Sequence, residues 1–220
     1  TVSGPTYSPG FVLVDGDSIK AVGPAEQQPN AGEAKVVNLK GQQLFPGLIA
    51  PTTALGLIEI PAVRATVDTS EVGTYTPEVK SWLAVNPDSE LIPVARANGI
   101  THFLPVPQGG TITGQSGLMA TAGWGYENML THSPVALHLS WTSMNINPTA
   151  DDAKKQAKER DKRLKKIDNF FEEARAYAKS QSDPGHKGVP SWDAMLPWVR
   201  GEKPLIIHAN SVMQIESAVN

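Results

Sequence analysis

The fold is decided by the segment VNLKGQQLFPGLI, residues 37–49, at which the spacing of the apolar runs changes. On its N-terminal side, apolar runs at 11–14 and 18–22 flank Asp15-Gly16, an arrangement typical of a β-hairpin. A similar pattern predicts a second strand, turn and strand over 36–45. We therefore expect this part of the chain to be mostly antiparallel β-structure.

On the C-terminal side of the segment, the apolar runs are separated by longer stretches, which is the spacing of strands and helices that alternate around a parallel sheet. Buried strands are predicted near residues 47–50, 99–106, 134–140 and 203–209. The loops after these strands are rich in Gly, Pro and polar residues. Because α/β proteins bind ligands at the carboxyl ends of their strands, we expect the functional site in these loops.

A long helix is predicted over residues 151–180, with Thr149 as its cap and Asp152 three residues later. Small and apolar side chains recur on one helical face: Ala153, Ala157, Leu164, Ile167, Phe171, Ala174 and Ala178. Acidic residues are interspersed among the basic ones on the rest of the helix. This favours an amphipathic helix with a solvated face over a basic binding helix. A shorter helix is predicted over 191–200.

The composition excludes several classes of protein. The chain has 220 residues, a net charge of −3 and no Cys. The charge provides no basic surface for nucleic acid, and no run approaches the ~18 apolar residues of a membrane span. Without Cys there is no disulfide, thiolate metal site or cysteine nucleophile. The absence of Cys and of an initiating Met favours a periplasmic or secreted location.

Residues 37–49 resemble the opening of the amidohydrolase superfamily, in particular its imidazolonepropionase-like branch. Four further segments are similar to this branch: NPDSE at 86–90, ARANGIT at 95–101, the glycine-rich stretch 109–116 and PLIIHA at 204–209. The resemblance implies an α/β fold in which residues 1–46 form the N-terminal part of a β-sandwich subdomain. Residues 47–220 would then form the first part, roughly five βα units, of a (β/α)8 barrel of the TIM type.

A complete barrel of this type needs roughly 250 residues, more than this chain offers. We therefore expect the chain to be the N-terminal portion of a longer or two-piece enzyme. The expected partner is the C-terminal half of the same protein, or a second polypeptide that completes the barrel, because half a barrel has two open sheet edges. Assembly into a homo-oligomer is left open.

The chain departs from the family at the metal-binding motif. The family's His-x-His after the first barrel strand is replaced by Thr52-Thr53-Ala54. Alanine has no donor atom and a neutral threonine hydroxyl is a poor zinc ligand, so the resemblance implies an altered metal site. His208 matches the metal-binding histidine of the family's fifth barrel strand, with a structural role as the alternative. The expected cofactor is a divalent metal, zinc in the first place, if the missing half supplies ligands, and none otherwise.

Replacement ligands or binding residues are sought at the expected loop ends and in the glycine-rich stretch: Glu59, Asp68, Glu71, Gln115 and His138. Asp68 and Glu71 are close enough in sequence to share a cation, although a solvated acidic loop explains them more simply. His138 alternates along its strand with Ala136 and Ser140, and a buried, hydrogen-bonded histidine is the simpler explanation for it.

Ser116 is a candidate nucleophile in Gly114-Gln115-Ser116-Gly117, but the Gly-x-Ser-x-Gly motif of a nucleophile elbow is incomplete. The glycines fit a tightly folded loop instead. His132 and His186 are expected in loops.

The resemblance implies a hydrolase in which a divalent metal activates water for attack on the C–N bond of an amide, lactam or cyclic amide, while an aspartate shuttles the proton. The substrate would be a small molecule. The sequence alone identifies no catalytic residue. The alternative, motivated by Thr52 and Ala54, is a non-catalytic ligand-binding or scaffold member of the same fold.

Overall fold

The structure is a computed structural model of the chain and describes residues 4–30, 32–149 and 152–219. It divides into two compact units, Thr1–Gly47 and Leu48–Asn220. The division falls inside the segment 37–49, at which the sequence pattern changes. The assignment of residues 1–46 to a β-sandwich stays a prediction, because the described part of the first unit contributes one pair of strands.

The first unit contains the predicted hairpin. Strand β1 (Gly10–Asp15) pairs antiparallel with strand β2 (Ser18–Pro24), which confirms the prediction made from Asp15-Gly16. The prediction of strands over 36–45 is wrong, because this stretch contains no strand. The predicted turn forms, and the N–H of Gln42 donates to the carbonyl of Leu39 at 2.9 Å. A strand needs a neighbouring backbone to bond, and the described residues provide none for this stretch.

The second unit is built on a five-stranded sheet with the order β3-β4-β5-β6-β7. The strands are β3 (Leu48–Thr53), β4 (Ile100–Pro105), β5 (Ile112–Ala120), β6 (Leu130–Ser140) and β7 (Leu205–His208). β3 is parallel to β4 and β6 is parallel to β7, whereas β5 is antiparallel to both of its neighbours.

The strands predicted near 47–50, 99–106, 134–140 and 203–209 therefore correspond to β3, β4, β6 and β7. The expectation of a purely parallel sheet is wrong for β5, which was not predicted as a strand. The connection 106–111 between β4 and β5 is shorter than the dozen or so residues of a parallel crossover, so it can join only antiparallel neighbours. As a result, β7 is fifth in the sheet but fourth among the strands that share one direction.

The helices are α1 (Leu91–Ala97), α2 (Tyr126–Met129), α3 (Ala153–Ser180), α4 (Pro190–Val199) and α5 (Val212–Val219). The long and short helices predicted from sequence are confirmed as α3 and α4, and α5 was not predicted. Thr149 is not the cap of α3: the N-cap residue is Asp152, and the hydroxyl of Thr149 donates to Asn147 at 2.8 Å. Residue 151, the predicted start of the helix, lies outside the described residues.

The second unit has two hydrophobic clusters, and one of them orients β6. Leu137 and Leu139 of β6 pack with Ile167 and Ala174 of α3, together with Met195 and Trp198 of α4. The predicted apolar face of α3 thus covers the sheet. Since side chains alternate along a strand, the residue between the two leucines points to the opposite face. None of the helices in the described ranges combines the length and apolar character that a membrane crossing needs.

Candidate functional site

Two histidines meet on the face of the sheet that α3 and α4 leave uncovered. His138 lies between Leu137 and Leu139, so it points away from these helices. In the parallel pairing of β6 with β7, Ser140 is the partner of His208. His208 is the last residue of β7 and shares the face of His138. Both imidazoles therefore lie at the carboxyl end of neighbouring parallel strands, where α/β proteins bind their ligands.

The two imidazoles are in direct contact. Nδ1 of His138 lies 2.9 Å from Nε2 of His208, which is hydrogen-bonding distance. The rings stack with their centroids 5.2 Å apart and their planes at 20°. His138 is 0% exposed, and His208 is half-buried. The sequence proposed these residues as separate candidates, and the structure brings them together.

Burial keeps both imidazoles neutral. It lowers the pKa of His138 from 6.5 to about 4, with a smaller contribution from the nearby His208. Burial also lowers the pKa of His208. A neutral imidazole is the form that binds a divalent metal, because the lone pair of one ring nitrogen must be free. At neutral pH the pair is therefore in the protonation state that metal binding requires.

The donor type is one that zinc binds, whereas the spacing of the two contact nitrogens is that of a hydrogen bond. Imidazole nitrogens bind zinc with bonds of about 2.0–2.1 Å, so two of them in a tetrahedral site lie about 3.3 Å apart. The observed separation of 2.9 Å is shorter than this value, so the two nitrogens would have to move apart to share a cation. Two nitrogens do not complete a site, and the described residues contain no group of three or more His, Asp or Glu that could hold a metal. A metal at this pair would therefore need further ligands.

The end of β3 supplies no such ligands. Thr52 is exposed, the hydroxyl of Thr53 accepts a hydrogen bond from the N–H of Leu55 at 3.1 Å, and Ala54 follows the strand. Where the resemblance would place two imidazoles, at positions 52 and 54, the chain offers one hydroxyl and one methyl group. Any metal at this sheet would thus rely on the histidines of β6 and β7.

Ser116 shares the histidine face but is not accessible. The pairing of Gly114 with His138 and of Ser116 with Ala136 places its hydroxyl on the same face of the sheet as the imidazole. Ser116 is 0% exposed, and its Oγ and Nε2 of His138 are both buried without a hydrogen-bond partner in the described structure. Since Ser116 lies within β5 and has no access to a substrate, the geometry does not support a nucleophilic role.

Asp68 and Glu71 line a separate open cleft, which we call the acidic cleft. Its volume is about 500 Å³, and Glu78 and Lys80 also contribute to its wall. The cleft does not include either member of the histidine pair. A cation shared by these two carboxylates stays a prediction, and the structure does not join them to His138 or His208.

Glu59 and Gln115 are engaged in local structure. The carboxylate of Glu59 accepts hydrogen bonds from the hydroxyl of Ser89 at 3.0 Å and from the amide of Asn86 at 3.4 Å. Gln115 is buried, and its Nε2 donates to the carbonyl of Pro77 at 2.9 Å. Both side chains thereby hold loops in place, and a role for either in binding a ligand stays a prediction.

A comparison with solved structures finds an amidohydrolase from Thermotoga maritima MSB8 at a TM-score of 0.71 and 21% sequence identity. The match covers 94% of this chain and 55% of that protein. No family model matches the sequence, and no curated protein matches it. At this identity the likeness shows the fold: the chain has an amidohydrolase-type α/β fold and spans about half the length of its structural neighbour. Its curled sheet is compatible with part of a barrel.

Proposed function

We propose that this chain is the N-terminal portion of a metal-dependent hydrolase that cleaves C–N bonds in amides, lactams or cyclic amides. The observation that carries the proposal is the pair of neutral imidazoles, His138 and His208, at the carboxyl end of parallel strands in an amidohydrolase-type fold. The segments 37–49, 86–90 and 204–209 support the imidazolonepropionase-like branch of that superfamily.

In this proposal His208 holds the divalent metal, zinc in the first place, together with ligands outside this chain. When bound, the metal would supply a Lewis acid that polarises the substrate carbonyl and lowers the pKa of water. The burial of His138 and the half-burial of His208 exclude water from one side of the pair and keep the imidazoles unprotonated. The chain's own contribution is therefore a preorganised, neutral donor site.

The remaining ligands are proposed to come from a C-terminal portion that completes the barrel, either as a continuation of this chain or as a second polypeptide. The share of the structural neighbour that this chain covers, 55%, supports a missing portion of similar size. The sheet supports it as well, because its outermost strands β3 and β7 each pair on one side among the described residues. On β3, Leu48 is 62% exposed and Ile49 is 55% exposed, an apolar surface that added strands or helices would cover.

The test uses the native protein, purified without chelator and with any co-purifying polypeptide retained. A panel of lactams, cyclic amides and N-acyl amino acids is assayed for C–N hydrolysis before chelation, after chelation and after zinc is restored. We expect chelation to abolish activity and zinc to restore it. His208→Ala should remain inactive in all three states, and His132→Ala, which changes an exposed histidine of β6, should behave as wild type.

Activity that survives chelation would contradict a metal-dependent reaction. A completed protein that neither binds metal nor hydrolyses any member of the panel would contradict the proposed function and favour a ligand-binding or scaffold protein.

A further inference from the structure

Lysines form the exposed face of α3 near its N-terminal end. Residues 154–166 contain eight basic and two acidic residues, hence a net charge of +6, in a chain whose net charge is −3. Residues in an α-helix are about 100° apart, so the six lysines of this stretch fall within an arc of about 120°. Every position of the stretch in this arc is a lysine: Lys154, Lys155, Lys158, Lys162, Lys165 and Lys166. We call this surface the lysine face.

The lysine face points away from the sheet. Ile167 and Ala174, which pack with Leu137 and Leu139 of β6, lie on the other side of the helix, about 150° from the middle of the arc. All six lysines are exposed. Because the face extends about 18 Å along the helix axis, its ammonium groups can reach one flat surface at the same time.

Acidic residues are interspersed with the basic ones in the sequence, but on the helix they lie outside the lysine face. Glu159 and Asp161 flank the arc, and Asp161 forms an ion pair with Arg160 at 2.6 Å. None of the six lysines forms an ion pair within the part of the chain that the structure describes. In the direction of the arc, acidic side chains follow only at Glu172 and Glu173, more than one turn further along the helix. The helix therefore does not neutralise the charge of its own lysine face.

The fold gains no stability from this arrangement. Lys154, Lys158, Lys162 and Lys166 follow one another at intervals of four residues, at which like charges destabilise a helix. A helix that only covers the sheet needs its buried face, and its exposed face can alternate acidic and basic residues. The accumulation of lysines on one exposed face therefore indicates an anionic partner.

We propose that the lysine face docks the protein on a lipid bilayer with anionic headgroups. Groups of roughly four to eight basic residues on an amphipathic helix are typical of proteins that bind anionic lipids. The apolar side of α3 is occupied by its packing on the sheet, so the helix offers no apolar face for insertion and binding is electrostatic. The inference goes beyond the proposed function, because the lysine face contains neither histidine of the pair.

A nucleic acid is the competing polyanion. Arginine is the preferred residue for recognition of nucleic-acid phosphates, and proteins that bind single strands stack the bases on aromatic rings. Within residues 154–166, Arg160 is ion-paired, Arg163 lies outside the arc, and no aromatic residue is present. A row of lysines fits the diffuse negative charge of a bilayer better than a groove whose bases must be read.

The first measurement is the binding of the native, completed protein to lipid vesicles, followed by co-sedimentation. At about 0.1 M salt we expect binding to vesicles of phosphatidylcholine with phosphatidylglycerol and none to phosphatidylcholine alone. At about 1 M salt the screening length falls from about 10 Å to about 3 Å, so the protein should leave the vesicles. Absence of binding to the anionic vesicles, equal binding to the neutral ones, or binding that salt does not weaken would each overturn the proposal.

The second measurement compares variants of the lysine face. A lysine close to an anionic bilayer raises the affinity about fivefold, so Lys158→Gln/Lys162→Gln should bind about 30-fold more weakly. Lys158→Arg/Lys162→Arg keeps both charges and should bind as wild type. Lys, Gln and Arg have similar helix propensities, so both variants should retain the helix, which circular dichroism checks.

A matched control removes the same charge elsewhere. Arg64→Gln/Arg175→Gln changes two exposed arginines outside the lysine face and should lose little affinity for the anionic vesicles. If this variant loses as much affinity as Lys158→Gln/Lys162→Gln, then the vesicles respond to net charge alone and the lysine face is not the docking surface.

Competition distinguishes a bilayer from a nucleic acid. A short DNA duplex is added to vesicle-bound protein at an equal concentration of phosphate groups. Protein that stays on the vesicles supports the proposal, whereas transfer of the protein to the DNA would overturn it.

Discussion

His138 and His208 are 70 positions apart in the sequence, yet Nδ1 of the first lies 2.9 Å from Nε2 of the second. The parallel register of β6 and β7 produces this contact, because it pairs Ser140 with His208 and so places the two imidazoles two positions apart on one face. The pair lies at the carboxyl end of these two parallel strands. The first prediction follows from its burial.

The stability of the metal-free protein should fall with decreasing pH because of His138. The pKa of this residue is about 4 in the folded protein, lowered from 6.5 chiefly by burial. Above the pKa of His138 in the unfolded chain, this residue is neutral in both the folded and the unfolded protein, so its protonation does not reduce the stability. As the pH falls below the unfolded pKa, His138 becomes protonated in the unfolded chain but stays neutral in the folded protein. The free energy of unfolding therefore decreases by up to about 3 kcal/mol.

Urea unfolding of chelator-treated protein from about pH 8 down to about pH 5 measures this effect. Carboxylates also respond to acid, so the informative quantity is the free energy of unfolding of wild type minus that of His138→Leu. This difference should decrease as the pH falls. His132→Ala should keep the wild-type dependence. If this difference in the free energy of unfolding does not vary with pH, then the fold does not hold His138 neutral.

Gly110→Ala should destabilise the protein more than Gly185→Ala. Gly110 has φ 75° and Gly185 has φ 84°, so a side chain in this left-handed region destabilises both variants. A Cβ on Gly110 would also lie 2.8 Å from the carbonyl oxygen of Gly73 and 2.9 Å from that of Thr74, whereas Gly185 has open space. We expect a loss of about 1 kcal/mol for Gly185→Ala and of more than about 2 kcal/mol for Gly110→Ala, measured by urea unfolding. Equal losses would mean that the loop after β4 is not packed as described.

Ser81→Ala should remove a buried link between β4 and β5. The hydroxyl of Ser81 lies 2.6 Å from the carbonyl oxygen of Pro105 and 3.0 Å from that of Gln115. Without it, buried carbonyls lose their donor, which costs about 1–3 kcal/mol in the free energy of unfolding. Ser182→Ala, at an exposed position after α3, serves as the control and should be neutral. A neutral Ser81→Ala would contradict this role of the hydroxyl.

Local chemistry was sufficient to predict some of these elements. Asp15-Gly16 specifies its hairpin through the turn alone, and the apolar period of α3 locates the helix and the face that it buries. Strand β5 was missed because its glycines are typical of a loop. Gly114 lies in a strand because the chain at Val79 passes directly over it: a Cβ there would be 2.7 Å from the carbonyl oxygen of Val79. That contact depends on packing between distant segments, which a local pattern does not contain.

The sequence predicted both histidines of the candidate site as separate candidates, but it did not predict that they are in contact. Each histidine stood out by its position near the end of a predicted strand. Their contact depends on the register between β6 and β7 and on the order of strands in the sheet. For the same reason the sequence could not separate the acidic cleft of Asp68 and Glu71 from the histidine pair, since a local pattern does not show which loops meet in the fold.

The most direct test of the account is the metal content of the native, completed protein, measured by elemental analysis for wild type, His208→Ala and His132→Ala. The account predicts about one equivalent of zinc or a similar divalent metal per chain in wild type and in His132→Ala, and a large loss in His208→Ala with the fold retained. A completed wild-type protein without metal, or a folded His208→Ala protein that keeps its metal, would contradict the central claim that this histidine pair builds a metal site.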